Sequence, residues 1–249
     1  VMTLDTEKVL WVISITSLAA IFFGLCCFRG LANPIKQFTR VINRHWASVK
    51  WMTLSALLQW SSGNLFFIMT GVILGSSAVG ALKATQNLLS GLNIIFQGLE
   101  NYVPAKLSDQ LHHNGILAMY SYLKKVCLYG ALATLFFAGL ASLFSEPLLT
   151  LIFDESFSQY IELVYWWAII YIPMYLAFPI KAAFRALEKT KTIFYSLVLS
   201  SIFSVSLSGF IIHKWQLMGT MLGLLTMYLL IVIFLFLSLK LTMKHQLEK

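Results

Sequence analysis

Seven apolar runs, each near the length of a bilayer crossing, divide the chain: Val9–Phe28, Trp51–Leu74, Val79–Val103, Val126–Phe144, Ile161–Ile180, Thr192–Ile212 and Leu217–Leu239. About 20 apolar residues in a helix span roughly 30 Å of hydrocarbon, so each run predicts a transmembrane helix. Alternating apolar strands are absent, which argues against an outer-membrane barrel. One run departs from the rest. Between Ser77 and Ser108 the apolar sequence carries Lys83, Gln86, Asn87, Ser90, Asn93, Gln97, Glu100 and Asn101. On a single helix turning about 100° per residue these side chains fall within an arc of roughly 140°. A membrane helix turns such a face towards other helices or a water-filled cavity, because polar groups in lipid are costly. Each amide alone is accounted for by an interhelical hydrogen bond. The whole stripe, with a lysine and a glutamate in it, reads as a cavity lining.

The other runs carry weaker polar signals. The second holds Gln59, Ser61, Ser62 and Asn64 around Gly63, expected in its outer-to-middle portion. The Gly75–Gly80 turn is so short that the second and third runs must form a tight helical hairpin. After Pro104 the stretch Lys106–Lys125 reads as a solvated loop, its adjacent His112 and His113 too divergent to chelate a metal. Ser145–Tyr160 predicts a short interfacial helix, with Asp154 and Glu155 as its polar flank. The fifth run opens on an aromatic belt (Tyr160, Tyr165, Trp166, Trp167, Tyr171) and is interrupted by Pro173 and Pro179, where kinks are expected. Lys181 and Arg185 follow it four residues apart on one helical face, a catch for phosphate or an ordinary basic flank. Serines in the sixth run suit close packing, and Gly219 and Gly223 in the seventh make it peripheral or a partner of the sixth.

Composition agrees with the pattern: 59% of residues are hydrophobic and only 11% charged, against about a quarter charged in soluble domains. The net charge of +8 could suggest nucleic acid, but its placement excludes that reading. Almost all Lys and Arg lie at every second connection: Arg29–Lys50, then Lys106, Lys124 and Lys125, then Lys181–Lys191, then the tail. The positive-inside rule makes those connections cytoplasmic, with the N-terminus outside and the C-terminus inside. Within 29–50, Leu31, Ile35, Phe38, Ile42 and Trp46 recur at helical spacing among cations, which predicts an amphipathic helix against membrane lipids. Cys26, Cys27 and Cys127 offer neither a disulfide framework nor a metal site, and no cofactor is expected. The chain opens at Val1 on the outer face just before a span, which reads as a cut through a longer protein.

The order of these segments is similar to something known. NLFFIMTGVILGSSAVGALKATQNL forms the hairpin, ENYVPAKLS closes the polar run, and LLTLIFDESF is the outer segment before a proline-interrupted span ending KAAFRALEKT. This resembles the second half of a Wzx-like oligosaccharide or polysaccharide flippase of the multidrug/oligosaccharidyl-lipid/polysaccharide exporter superfamily. The resemblance implies an all-α integral membrane protein of two six-helix bundles. Residues 1–28 would be the last helix of the first bundle, 29–50 the basic cytoplasmic linker, 51–240 the second bundle and 241–249 the tail. The missing N-terminal half would be its partner in the bacterial inner membrane. It also implies a substrate, a polyprenyl-pyrophosphate-linked oligosaccharide carried by alternating access for surface polysaccharide or O-antigen assembly. Asn87, Ser90, Asn93, Gln97 and Asn101 would meet sugar hydroxyls. Lys83, or Lys181 and Arg185, would meet the pyrophosphate, with Lys83 the leading candidate. Glu100 would balance Lys106 or a cation of the missing half, or carry a coupling proton. The alternatives are a drug antiporter of the same superfamily, a heptahelical receptor, and a membrane-embedded enzyme, for which only Glu100 lies well inside a span.

Overall fold

The computed structural model describes residues 6–27, 38–153 and 155–247. The chain divides into two compact units, 1–47 and 48–249. In the first, α1 (Thr6–Cys27) exposes apolar side chains all round, including Trp11, Ile15, Leu18 and Phe22. Leu31 and Ile35 of the expected amphipathic segment lie outside the described residues, as does Asp154. From Phe38 onward that segment is helical, within α2 (Phe38–Leu74).

The second unit is helical throughout, and no strand occurs among the described residues. A lone Gly75 joins α2 to α3 (Ser76–Leu88). Its φ of 90° is open to glycine at no steric cost. Ser76–Gly80 is already helix, so the hairpin is tighter than its sequence suggests. α4 (Ser90–Leu143) has 54 residues, about 80 Å of helix at 1.5 Å per residue. Gly115 breaks it with φ 79°. Leu92 shares one core with Ala138, and Val103 and Leu107 share another with Met119 and Leu123. Residues equidistant from Gly115 thus meet, and the chain turns back there. α5 (Ser145–Ile152) and a 3-10 turn (Glu155–Tyr160) form the expected short segment. α6 (Ile161–Ala186) passes through both prolines as helix, each removing one backbone hydrogen bond. α7 (Thr190–Leu247) reverses at Gln216, bringing Ile193 and Leu197 beside Leu235 and Leu239.

α6 is the hub. Its apolar window is 56% buried, against 17–33% for the other crossing-length helices. Two of the five residues of the anticipated aromatic belt therefore point inward: Trp167 and Tyr171 are buried while Tyr165 stays exposed. Phe67 stacks on Trp167 at 6.1 Å between ring centres, and the Tyr175 hydroxyl donates to the Val126 carbonyl at 2.8 Å. In α7, Ser196, Ser200, Ser204 and Ser208 are all buried. The first three donate their hydroxyls to carbonyls three or four residues back, a satisfied packing ladder that requires no ligand. The seventh run is not peripheral. Met221, Leu224, Met227 and Ile231 are buried, and Gly223 lies directly under the Phe66 ring of α2. Thr70 and Thr220 exchange a buried hydroxyl–hydroxyl bond of 2.8 Å beside it. Outward-facing positions are apolar (Val72, Ile94, Phe136, Leu143, Val205), the surface a lipid solvent requires.

Candidate functional site

The polar stripe is real but is not one helix face. The third run is two helices joined at Leu89, with tight bonds from Leu89 N–H to Gln86 O (3.1 Å) and Leu92 N–H to Leu89 O (3.0 Å). The single arc therefore splits into an upper group, 83–90, and a lower group, 93–101. In the upper group Lys83 donates to Gln86 Oε1 at 3.2 Å and sits 3.9 Å above the Phe67 ring centre. The Ser90 hydroxyl caps Asn87 O at 2.6 Å. In the lower group Asn93 Nδ2 donates to the Tyr171 hydroxyl at 3.3 Å, and Asn101 Nδ2 to Gln97 O at 3.3 Å. Lys83, Asn87, Ser90, Gln97, Glu100 and Asn101 are exposed; Gln86 and Asn93 are half-buried. Among the described residues of the second unit, α6 touches the stripe at Asn93 and Glu100 and leaves the rest open.

Long-range pairs gather the lower group with α2 and α6. Lys181 Nζ donates to Gln59 Oε1 at 3.0 Å, and Arg185 lies 3.5 Å from Glu100. These four side chains are shared by two adjoining cavities. One, of about 310 Å³, reaches between α2, α4, α6 and α7 past Asn93, Gln97 and Tyr228. The other, of about 630 Å³, opens between α2 and the start of α7, past Met52, Ala56, Trp60 and Ile193. Two cations face one carboxylate, so the junction keeps a net positive charge. Such a balance suits an anion better than a cation, and the amides of Asn93 and Gln97 adjoin it.

Three expectations change. Gln59 is not in the outer-to-middle part of its helix; it meets Lys181 at the end where the basic residues cluster. Glu100 does not pair with Lys106, which instead holds Asp109 at 2.8 Å. The stretch after Pro104 is helix to Asn114 and again from Ile116 rather than loop. His112 and His113 are nevertheless exposed on it. Lys83, the leading sequence candidate, lines neither cavity. Ser55 and Tyr228, which do line one each, gave no usable sequence signal, since each is a single polar atom in an apolar run. Among the described residues no group of three or more His, Cys, Asp or Glu could hold a metal.

Against protein families, residues 52–210 match MatE, well over half of the chain. The chain belongs to the MatE family. Members of the MatE family are membrane transporters of the multidrug/oligosaccharidyl-lipid/polysaccharide exporter superfamily, so this is a multi-pass membrane transporter. The MatE match contains the whole charged junction, Gln59, Glu100, Lys181 and Arg185. No curated protein and no solved structure matches the chain.

Proposed function

We propose that this MatE chain belongs to a carrier that flips a polyprenyl-pyrophosphate-linked oligosaccharide across the bacterial inner membrane for surface polysaccharide assembly. The observation that supports it is the charge of the junction: Lys181 and Arg185 against Glu100 alone. A pyrophosphate gains from two cations, and its sugars gain from Asn93 and Gln97 in the adjoining cavity. A cationic drug, the substrate of the competing antiporter reading, would be repelled by that balance. The stripe from Lys83 to Asn101, largely exposed among the described residues, would face a second bundle of the same carrier across the transport path. Rocking of the two bundles would then expose the junction to one side at a time.

The test is delivery of lipid-linked glycan to the outer leaflet in cells whose own carrier is replaced by Lys181→Gln/Arg185→Gln. Membrane level serves as the folding control. Delivery should fall by at least an order of magnitude at unchanged protein level. Undiminished delivery, or an unchanged glycan phenotype with altered sensitivity to cationic drugs, would replace this reading with drug export.

A further inference from the structure

We infer that the crevice between α2 and the start of α7 receives the lipid end of the substrate, with the pyrophosphate held at the junction by Lys181 and Arg185. This rests on the carrier reading above and adds the orientation in which the substrate is held. The two cavities that share the junction differ in chemistry. The inner one carries Asn93, Gln97 and the Tyr228 hydroxyl beside the cations. The outer one is walled by Met52, Ala56, Trp60 and Ile193, with only the small hydroxyls of Thr53, Ser55 and Thr190 between them. An amphiphile with sugars on one side of a phosphate and an isoprenoid chain on the other requires that order: amides, cations, then apolar wall.

Two further observations point to a ligand in the crevice. The Ser55 hydroxyl is buried without a hydrogen-bond partner on a residue that lines it, and such a group costs stability unless something completes it. At the basic end of the crevice, Lys50 and Lys191 both lie over the Trp51 ring, 5.9 and 5.6 Å from its centre, and Trp51 meets Phe194 edge-on at 5.0 Å. That arrangement places positive charge next to the crevice residues Met52 and Thr190 and ties α2 to α7 by an aromatic contact. Trp60, 70% exposed on the far side, leaves the crevice open towards lipid.

The experiment is photolabelling of the protein in vesicles of the membrane that houses it. The probe is a polyisoprenyl pyrophosphate carrying a diazirine on its first isoprene unit. Labelled peptides should come from 52–60 and 190–193. Inorganic pyrophosphate should compete, the matching polyisoprenol should label at least tenfold less, and Arg185→Gln should reduce labelling about tenfold. Equal labelling by the alcohol, or labelling confined to other helices, would overturn the inference. Competition by inorganic pyrophosphate without labelling of the crevice would assign the junction to a free phosphate and also overturn it. In cells, Ala56→Trp should block glycan delivery and Ala56→Leu should slow it. Normal delivery in both, with delivery lost in Arg185→Gln, would refute the crevice while leaving the carrier intact. Normal delivery when the protein is removed altogether, with the labelling still in place, would refute the carrier reading while leaving the lipid site.

Discussion

Neutralising Arg185 and neutralising Glu100 should move anion affinity in opposite directions. The pair is 3.5 Å apart, with side chains 35% and 50% exposed. An ion pair so accessible to solvent contributes at most about 1 kcal/mol. Glu100 is therefore a weak competitor that an incoming pyrophosphate displaces easily. A charge-assisted hydrogen bond from the Arg185 guanidinium to phosphate is worth about 1.5–3 kcal/mol. Arg185→Gln should thus weaken binding of a polyprenyl pyrophosphate about tenfold to a hundredfold, at 1.4 kcal/mol per tenfold. Glu100→Gln removes the competitor and should tighten binding by up to about fivefold. The assay is quenching of intrinsic Trp fluorescence in detergent at two salt concentrations, with the effect of both substitutions shrinking at high salt. If Glu100→Gln weakened binding while Arg185→Gln left it unchanged, the junction would be recognising a cation and the charge argument would fail.

Three further outcomes concern the scaffold. Gly223→Ala places a methyl into the Phe66 ring. It should cost about 1–3 kcal/mol and lower the melting temperature by several degrees, with partial rescue by Phe66→Leu. Thr70→Val should cost about 1–2 kcal/mol, because the buried Thr220 hydroxyl loses its 2.8 Å partner; thermal unfolding in detergent measures it. Gln216→Gly should raise the melting temperature by a few degrees, since φ 51°, ψ −131° is strained for any side chain.

What the sequence made legible is what depends on neighbours along the chain. The hairpin at Gly75, the serine ladder of α7 at four-residue spacing, and the shared face of Lys181 and Arg185 all follow from local geometry, and all are present. The break at Leu89 was hidden because neither the leucine nor its flanks carry a proline or another strong signal; Ser90 and Gly91 follow it, but glycine also serves helix contacts. The true partners of Glu100 and Gln59 were hidden for a different reason. Arg185 and Lys181 lie far away in sequence, and only the packing of α6 against α2 and α4 brings them together. Lys83 stood out in the sequence as an ammonium ion in an apolar run; in the fold it lies over the Phe67 face and lines neither cavity. The polar residues of the proposed anion site are those a long-range contact collects.

The most direct measurement is translocation of a labelled polyprenyl-pyrophosphate oligosaccharide in liposomes containing the purified protein, read by the accessibility of the glycan to an enzyme added outside. Protein-dependent movement that Lys181→Gln/Arg185→Gln abolishes, with no movement of a cationic dye, is the predicted result. Glycan movement equal to that of empty liposomes, together with dye movement that requires Glu100, would contradict the account.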